Sequence, residues 1–377
     1  MTRPTRRHLP LVPVQGRGNV APPAEVVELL NALPIHTVDD VRKRFPEVPV
    51  EEIRAGGHFS NLRLLTTSTC RMRCGYPGEG VMWCHNEGME RNAIPEADLQ
   101  RMLGIVEYFR DHHGIREVTL AGLQPRLDDG LIAFIERLRA NDIKRVSLVT
   151  HGLKLIPWIP RLRDAGLSDV VLSMQGFDRH GYADIMGEDA FDNALRVIDH
   201  CRDLGLPVTV NRVLLRGYYE DIPDFLTWAV DRKLRVRLYD VLWMPGQDKH
   251  FLANHVSWQA IVHLWARMVE RITVWTYGLP GRINVVFHLR GGASVETNVN
   301  APKVQHTAPV CRSCALKDAC AEGWLGCGIR ITADYKITPC VLRPDLATPV
   351  VDGTGGYLRP SVLNPYLAGE LHGTAGR

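Results

Sequence analysis

Over residues 61–241, short apolar runs alternate with stretches in which apolar residues recur at helical spacing, and this pattern predicts an α/β fold. Six short runs are almost continuously apolar, as strands buried on both faces are. These candidate strands cover residues 61–65, 117–120, 145–150, 169–173, 208–214 and 235–241. Between them, apolar residues recur at helical spacing over residues 96–112, 129–140, 156–165, 190–204 and 222–232. Six β-α units favour a parallel sheet covered by helices, and because they do not fill an eight-stranded barrel, we expect a partial, open (β/α)6 barrel.

The region before the barrel has a different pattern. Residues 1–58 lack strand alternation, whereas residues 26–33 and 38–45 have helical spacing. Prolines precede the first of these stretches and follow both of them, as they do at helix boundaries. This pattern predicts an N-terminal helical cap.

The pattern changes again after the sixth unit. Residues 258–274 have the spacing of an amphipathic helix, and residues 276–310 are rich in Gly, Pro and Asn, which predicts a linker or substrate-facing loop. Residues 328–332 and 336–338 flank a turn and predict a short hairpin that leads to Cys340. We therefore divide the chain into a cap, a barrel, a cysteine-rich extension and an extended tail, over residues 1–58, 59–275, 276–345 and 346–377.

Composition narrows the class of protein without naming a function. Hydrophobic residues make up 45% of the 377 residues and charged residues 23%, which is ordinary for a globular protein. A formal charge of +3 is too small to indicate a nucleic acid polymer or an anionic membrane as a partner. No apolar run reaches the roughly 20 residues that span a bilayer, and no signal-type apolar core follows the basic N-terminus. We expect a cytoplasmic location.

The nine cysteines are informative through their placement. Eight of them form two groups, and the ninth lies within a helical run; the positions are 70, 74, 84, 201, 311, 314, 320, 327 and 340. An odd total, tight grouping and the lack of an export signal favour metal sites over disulfides. The outlier, Cys201, is best explained as a small buried apolar residue.

The first group directly follows a candidate strand, so it lies where α/β proteins place their chemistry, at the carboxyl edge of the sheet. Cys70, Cys74 and Cys84 cannot complete the four-ligand shell of a structural zinc ion. Three thiolates do suit a cubane [4Fe-4S] cluster with one iron left open for a small ligand.

The loop Cys70-x3-Cys74-x9-Cys84 resembles the signature of radical SAM (S-adenosylmethionine) enzymes. In the usual pattern two residues separate the second and third cysteines, and the second of the two is aromatic. This sequence keeps the aromatic residue as Trp83 but inserts residues 75–82. The loop must therefore bulge to restore a three-thiolate face, and the residues suited to a bulge are Gly75, Pro77, Gly78 and Gly80.

Further landmarks of the family follow in order along the chain. Residues 121–125 resemble the glycine-rich GGEP segment, residues 150–152 a T-N-G turn and residues 172–178 an S-L-D-S strand end. Residues 210–213 resemble a ribose-facing strand, and residues 237–246 the sixth-strand segment of the GTP 3',8-cyclase family. By this resemblance the SAM-binding residues are Trp83, Gly122, Gln124, Pro125, His151, Ser173, Gln175, Asn211 and Met244.

The resemblance implies a reaction and its partners. Cys70, Cys74 and Cys84 would hold the cluster whose open iron chelates the methionine end of SAM, and reductive cleavage would yield a 5'-deoxyadenosyl radical. That radical would abstract hydrogen from a small polar substrate inside a closed barrel rim. A nucleoside, nucleotide or sugar intermediate of a specialised biosynthetic pathway fits best. The electron would come from a reductant such as flavodoxin or ferredoxin.

One departure concerns the residue that accepts a hydrogen bond from the SAM ammonium. The family has Glu there, and this chain has Gln124, with Leu123 in place of a Gly. A neutral amide still accepts, but without the charge assistance that roughly doubles such a bond. Three explanations of this replacement are open: tolerated variation, an altered pose of SAM, or a catalytically dead homologue.

The second group, Cys311-x2-Cys314-x5-Cys320 with Cys340 downstream, offers four thiolates. A structural Zn(Cys)4 site is one interpretation. The other, an auxiliary [4Fe-4S] cluster, comes from the resemblance of this region to the twitch-like extension of radical SAM enzymes. We expect Cys311, Cys314, Cys320 and Cys340 as the ligands, with Cys327 spare.

Arg330 in the same extension matches an arginine that contacts the nucleotide in the GTP 3',8-cyclase family. A planar guanidinium suits phosphate or carboxylate, and the alternative is a surface arginine on a strand. We place Arg330 with the catalytic residues. His85, Asn86 and Glu87 follow the first cysteine group and are candidates for contact with SAM or substrate, or parts of a merely structural loop.

Two other hypotheses remain open at this point. The same radical chemistry could act on a ribosomally made peptide, although residues 1–58 are short for a leader-binding domain. A non-catalytic, metal-bound scaffold is the alternative from another class. GTP cyclisation itself is disfavoured because the cysteine spacing departs from that family and the chain ends without its diglycine.

Overall fold

The computed structural model describes residues 20–55, 61–84, 96–122, 126–276, 282–300, 308–322, 324, 328–351 and 356–368. The α-helices are α1 (Ala24–Asn31), α2 (Val38–Arg44), α3 (Leu99–His113), α4 (Asp129–Ala140), α5 (Ile159–Asp164), α6 (Arg179–Met186), α7 (Phe191–Asp203), α8 (Ile222–Asp231), α9 (Asp248–Asn254), α10 (Trp258–Ile261), α11 (Pro309–Arg312) and α12 (Pro360–Leu367). The strands are β1 (Val50–Arg54), β2 (Asn61–Leu65), β3 (Glu117–Ala121), β4 (Arg145–Thr150), β5 (Asp169–Ser173), β6 (Val208–Leu214), β7 (Arg235–Asp240), β8 (Val269–Thr276), β9 (Arg282–Leu289), β10 (Ser294–Asn300), β11 (Ile329–Ile331), β12 (Lys336–Thr338) and β13 (Thr348–Pro349).

Six consecutive parallel strands, β2 to β7, form the centre of the sheet. Their spatial order follows their order in the chain, and helices cross between them. Parallel neighbours of this kind need crossover connections, and these place the carboxyl ends of all six strands on one rim. The predicted α/β class and the predicted set of six barrel strands are confirmed.

The two faces of these strands differ in polarity. Alternate residues point toward the helices and are fully buried; in β2, β3 and β4 they are Leu62, Leu64, Val118, Leu120, Val146 and Leu148. The intervening residues are polar in the first part of each strand, and some of them bond to each other across the opposite face. Asn61 Nδ2 donates to Thr119 Oγ1 at 3.0 Å, and Ser147 Oγ donates to Asp169 Oδ1 at 2.6 Å. The sheet therefore has an apolar helix-facing side and a polar inner side.

Local signals fix the ends of the barrel helices. Helix α3 begins after Asp98, whose carboxylate accepts from the backbone N–H of Gln100 at 2.8 Å, and ends at Gly114, which adopts a left-handed φ of 67°. Helix α4 covers residues 129–140, as predicted. Helix α6 was not predicted, although Asp178 caps its first turn and Gly187 ends it with a φ of 72°.

The predicted helix over residues 258–274 is wrong. Helix α10 ends at Ile261, two 3-10 turns follow, and β8 begins at Val269. In β8 the consecutive residues Ile272, Thr273 and Val274 are all buried, and these β-branched residues pack as a strand.

The predicted linker over residues 276–310 is also wrong where the chain is described. Strands β9 and β10 form an antiparallel hairpin, whose turn uses Gly291 and Gly292 at φ of 98° and 96°. Burial alternates strictly along β9, so the period-two pattern was present but was masked by the Gly and Asn content. Strand β10 then pairs parallel with β7 and extends the barrel sheet.

The terminal regions contain more regular structure than predicted. Helices α1 and α2 are confirmed, but β1 follows them and pairs parallel with β8, so the cap is not purely helical. The tail is not simply extended: β13 pairs with β12, and α12 begins at Pro360 and buries Leu363 against the core. Strands from all four predicted segments join one sheet, whereas the segment boundaries themselves stay a prediction.

At the C-terminal side, β11 pairs parallel with β2, and β12 forms the predicted hairpin with β11. The cysteine-rich extension is therefore attached directly to the strand that leads into the first cysteine loop. Within the described residues, no helix is both long enough and apolar enough to cross a membrane.

Candidate active site

The first cysteine loop leaves β2 at the carboxyl rim of the barrel. Cys70, Cys74 and Cys84 are all half-buried. The loop lies against the end of the next strand, because Thr66 N donates to Ala121 O at 3.1 Å. Gly122 follows, and a Cβ there would stand 2.8 Å from Thr67 O, so only glycine permits this approach.

The inserted residues form a narrow hairpin that brings Cys84 back beside Cys74. Tyr76 N donates to Val81 O at 2.8 Å, and Cys84 N approaches Cys74 O at 3.4 Å. The indole of Trp83 closes the base, donating from Nε1 to Gly75 O at 2.9 Å. The chain's departure from the usual cysteine spacing is therefore absorbed in a side hairpin, and its second and third cysteines are again neighbours.

Helix α6 supports the other side of the loop. Arg73 N donates to Met186 O at 2.9 Å, and Gly75 N donates to Ile185 O at 3.1 Å. The sulfur atoms of Cys74 and Met186 are 3.6 Å apart. Tyr182 of the same helix is buried near Cys74, and burial together with the nearby thiol raises the pKa of this tyrosine above its ordinary value. Sequence reasoning missed these contacts because it missed α6.

His151, at the end of β4, presents a buried donor beside the cysteine loop. Its side chain is 4% exposed, and Leu153 N donates to Nδ1 at 3.4 Å, so the proton of the neutral ring lies on Nε2. Nε2 has no hydrogen-bond partner among the described residues. Burial, with a contribution from the positive charge of Arg71, lowers the pKa of His151 to about 4.

Asn211, on β6, offers a complementary acceptor. It lies beside Ser173 in the sheet register, and its Oδ1 is buried without a hydrogen-bond partner among the described residues. An orphaned donor and an orphaned acceptor on this rim fit a polar ligand that would satisfy both. The residues therefore fit SAM, which carries such groups.

Other predicted SAM-binding residues already have partners within the protein or lie elsewhere. Gln175 accepts through Oε1 from Val213 N at 2.6 Å, and Met244 is 2% exposed within an apolar cluster. Trp83 closes the hairpin as described above. Several predicted residues lie outside the described part of the chain, and these are His85, Asn86, Glu87, Gln124, Pro125 and Cys327.

The second cysteine group lines one cavity. Its thiols come from α11, the turn that follows and the end of the β11–β12 hairpin, and they are Cys311, Cys314, Cys320 and Cys340. Lys317 and Arg343 line the same cavity, and Arg343 Nη1 donates to Cys314 Sγ at 3.8 Å. Arg343 also pairs with Asp345, at 2.7 Å.

Burial opposes ionisation at this cavity before any group binds. It raises the pKa of Cys311 to about 11, with a contribution from Cys314, and that of Cys340 to about 12. Within the described part of the chain, no three His, Cys, Asp or Glu side chains are grouped closely enough to hold a metal ion. The four thiols thus share a cavity without converging on one point.

A single apolar cluster connects the two cysteine regions. It includes Tyr76 from the inserted hairpin, Trp243 from the loop after β7, and Cys320 and Cys340 from the second group. Val26 and Leu30 of α1 complete it. The inserted hairpin and part of the second cysteine group therefore share one packed region.

Arg330 is buried on the polar side of the sheet, so the alternative of a surface arginine is wrong. It is 3% exposed, its Nη2 donates to Glu322 Oε2 at 3.1 Å, and it lies next to Arg63 in the register of β11 and β2. Arg237 lies on the same polar side and bonds Glu296 at 2.9 Å. Arg63 and Arg330 thus lie side by side on the inner face, and the charge of Arg330 is paired with that of Glu322.

Comparison with known proteins agrees with this geometry. Residues 64–229 match the model of the Radical SAM superfamily. The chain carries a radical SAM domain. This domain contains strands β3 to β6 and the whole first cysteine loop.

Several curated relatives are named GTP 3',8-cyclase. A probable GTP 3',8-cyclase from Thermoplasma volcanium is 26% identical over 291 residues, which cover 76% of this chain and 81% of the relative. Another from Archaeoglobus fulgidus is 26% identical over 308 residues, which cover 80% of this chain and 91% of the relative. The chain thus resembles GTP 3',8-cyclases over most of its length.

Among solved structures, Streptococcus suis SuiB matches with 13% sequence identity and a TM-score of 0.48, covering 75% of this chain and 60% of SuiB.

Proposed function

We propose that this radical SAM protein holds a [4Fe-4S] cluster through Cys70, Cys74 and Cys84 and uses it with SAM to abstract hydrogen from a small polar substrate. The observation that carries the proposal is the inserted hairpin, which returns Cys84 to Cys74 despite the unusual spacing. When bound, the cluster and SAM would supply a 5'-deoxyadenosyl radical, and a reductant such as flavodoxin or ferredoxin would supply the electron.

The chain's own residues bind and orient SAM at the rim. His151 Nε2–H donates to the bound molecule and Asn211 Oδ1 accepts from it, since both are buried and lack protein partners among the described residues. Gly122 lets the end of β3 approach the backbone of Thr67 in the cysteine loop closely, since a Cβ there would stand 2.8 Å from Thr67 O. The low pKa of His151 keeps the ring neutral near pH 7, so it donates without adding charge.

For the small polar substrate, a nucleotide is the first class to test. Arg63 and Arg330 lie side by side on the inner face, and planar guanidinium groups suit phosphate or carboxylate. The relatives from Thermoplasma volcanium and Archaeoglobus fulgidus are both named probable GTP 3',8-cyclase, which supports a nucleotide.

As part of the same proposal, Cys311, Cys314, Cys320 and Cys340 would hold a second [4Fe-4S] cluster in the cavity that they line. Its support is the shared cavity and the two cations that border it. The apolar cluster that joins this cavity to the first loop fits a role in the same reaction.

Anaerobic reconstitution with iron, sulfide, SAM and dithionite tests the proposal. We expect 5'-deoxyadenosine, detected by mass spectrometry, about eight irons per chain from two cubanes, and loss of the product in Cys84→Ala. Cys201→Ala, at a buried cysteine distant from both groups in the sequence, serves as the matched control. No 5'-deoxyadenosine from the intact protein would indicate a non-catalytic scaffold, and zinc with about four irons would overturn the second cluster.

A further inference from the structure

The inserted hairpin of the first cysteine loop is anchored to α9, a helix that lies more than 160 residues further along the chain. The hairpin tip is made by Gly78 and Gly80, which adopt left-handed φ values of 73° and 69°. Its strands are closely apposed, because a Cβ at Gly75 would stand 2.5 Å from Val81 O. The hairpin is thus compact, but its short ladder does not by itself fix its direction relative to the barrel.

Glu79, near the hairpin tip, provides the contact that fixes the direction. Its Oε1 accepts from Asn254 Nδ2 at 2.6 Å, and its Oε2 contacts His250 Nδ1. Burial raises the pKa of this carboxyl, but the hydrogen bonds from Asn254 and His250 outweigh it and hold the pKa below its ordinary value. The carboxylate is therefore ionised and bound by two residues of α9.

Two further contacts join the same elements. The ring of Tyr76 stacks on His250, with centroids 5.9 Å apart and planes inclined by 18°. At the hairpin base, Gln247 Nε2 donates to Met82 O at 2.9 Å, two residues before Cys84. The tip and the base of the hairpin are thus both held from the segment around α9.

We propose that Glu79 is a positioning residue for the first cluster: its contacts with His250 and Asn254 fix the hairpin that delivers Cys84 as the third ligand. The inference rests on the proposed function, because it assumes a cluster at Cys70, Cys74 and Cys84. It extends that function by assigning a purpose to the insertion and to α9. Glu79 acts on the cluster through the backbone of the hairpin and touches neither iron nor SAM.

The test uses isosteric variants of the full-length protein. Glu79→Gln removes the charge, and Asn254→Asp places a second carboxylate against Glu79, so each weakens the contact. The double variant Glu79→Gln/Asn254→Asp exchanges donor and acceptor between positions 79 and 254, since the new amide can donate to the new carboxylate while its oxygen still faces His250. The bond from Asn254 Nδ2 to His250 O, at 2.9 Å, is lost both in Asn254→Asp and in the double variant, so comparing these two isolates the contact with Glu79. Glu136→Gln, at an exposed glutamate of α4, is the matched control.

The readouts are the SAM-dependent change in the EPR spectrum of the reduced cluster and the rate at which a chelator removes iron. Only a cluster with an open iron responds to SAM, so the EPR change reports the first site. We expect each single variant to lose iron about tenfold faster and to show a diminished EPR change, because a charge-assisted hydrogen bond is lost. The double variant should recover most of both properties, and Glu136→Gln should match the wild type.

Two results would overturn the inference: single variants that retain wild-type iron and EPR response, or a double variant as defective as the singles. Circular dichroism melting identifies variants that fail to fold. If a single variant fails to fold, the double variant tests the positioning role instead. A double variant that folds but does not regain the EPR change also contradicts that role. If the wild type itself shows no SAM-responsive cluster, the proposed function fails, not merely the role of Glu79.

Discussion

Two buried histidines show how the rim sets the chemistry of single residues. His151 and His255 both lie at the carboxyl side of the barrel, and burial lowers the pKa of each to about 4. For His255 the nearby charge of Arg216 adds to the effect. A neutral ring on this rim can donate or accept one hydrogen bond without repelling a cationic ligand such as the SAM sulfonium.

The lowered pKa of His255 predicts a loss of stability in mild acid. The unfolded chain takes up a proton near pH 6.5, whereas the folded chain takes it up only near pH 4, so stability is present above the first value and falls as the pH decreases. Between pH 7 and pH 5 the loss from this residue is about 2 kcal/mol. Urea unfolding of His255→Gln at both pH values should show a correspondingly smaller loss.

The exposed His263 provides the control for this comparison. His263→Gln should lose as much stability between the two pH values as the wild type does. An equal loss in His255→Gln would show that His255 does not titrate in this range.

At the scale of elements, the N-terminal helices are attached to the barrel by a buried side chain rather than by the sheet alone. Gln259 of α10 accepts through Oε1 from Ile35 N at 2.7 Å and donates through Nε2 to Ile35 O at 3.1 Å. Both residues are buried, at 4% and 1% exposure. In the segment between α1 and α2, the side-chain amide of Gln259 thus provides the hydrogen-bond partners that a neighbouring strand would otherwise provide to the N–H and C=O of Ile35.

Replacing this amide should destabilise the whole domain. Gln259→Met keeps the size of the side chain but leaves the N–H and C=O of Ile35 buried without partners, which costs about 2 kcal/mol or more. Urea unfolding monitored by circular dichroism measures the change. Gln100→Met at an exposed position of α3 should remain within about 0.5 kcal/mol of the wild type, and an equally small effect at Gln259 would contradict the argument.

At the scale of the molecule, the sheet has a parallel centre and short antiparallel strands at one end. Strands β3 to β6 have parallel neighbours on both sides, whereas β12 and β13 contain three and two residues and end the described sheet. Local opening requires less free energy at such an edge than at the centre. The second cysteine group is attached to this less stable side through β11 and β12.

Hydrogen exchange should reveal this difference. Peptides from β4 and β5 should exchange most slowly, and peptides from β12 and β13 about tenfold faster or more, after correction for intrinsic rates. Mass spectrometry of the apoprotein and of the reconstituted protein makes the measurement. Protection of β12 equal to that of β5 in the apoprotein would disprove the expected gradient.

The sequence by itself determined the elements whose signal is local. The six barrel strands and helix α4 follow from apolar periodicity, and the cysteine loop together with the ordered landmarks that follow it predicted the radical SAM domain. Periodicity failed where composition hid it, as in β9, or where a segment combined short turns with a strand, as in residues 258–276.

Only the tertiary structure decided how distant residues meet. Glu79 and His250 are 171 positions apart in the sequence, and no local pattern relates them. The burial of Arg330 depends on a three-residue strand finding its register beside β2, and the four thiols share a cavity only because α11 and the hairpin converge. Periodicity is a property of one segment, whereas these contacts depend on which segments pack together. The packing of the whole core determines which segments become neighbours, so no single segment predicts these contacts.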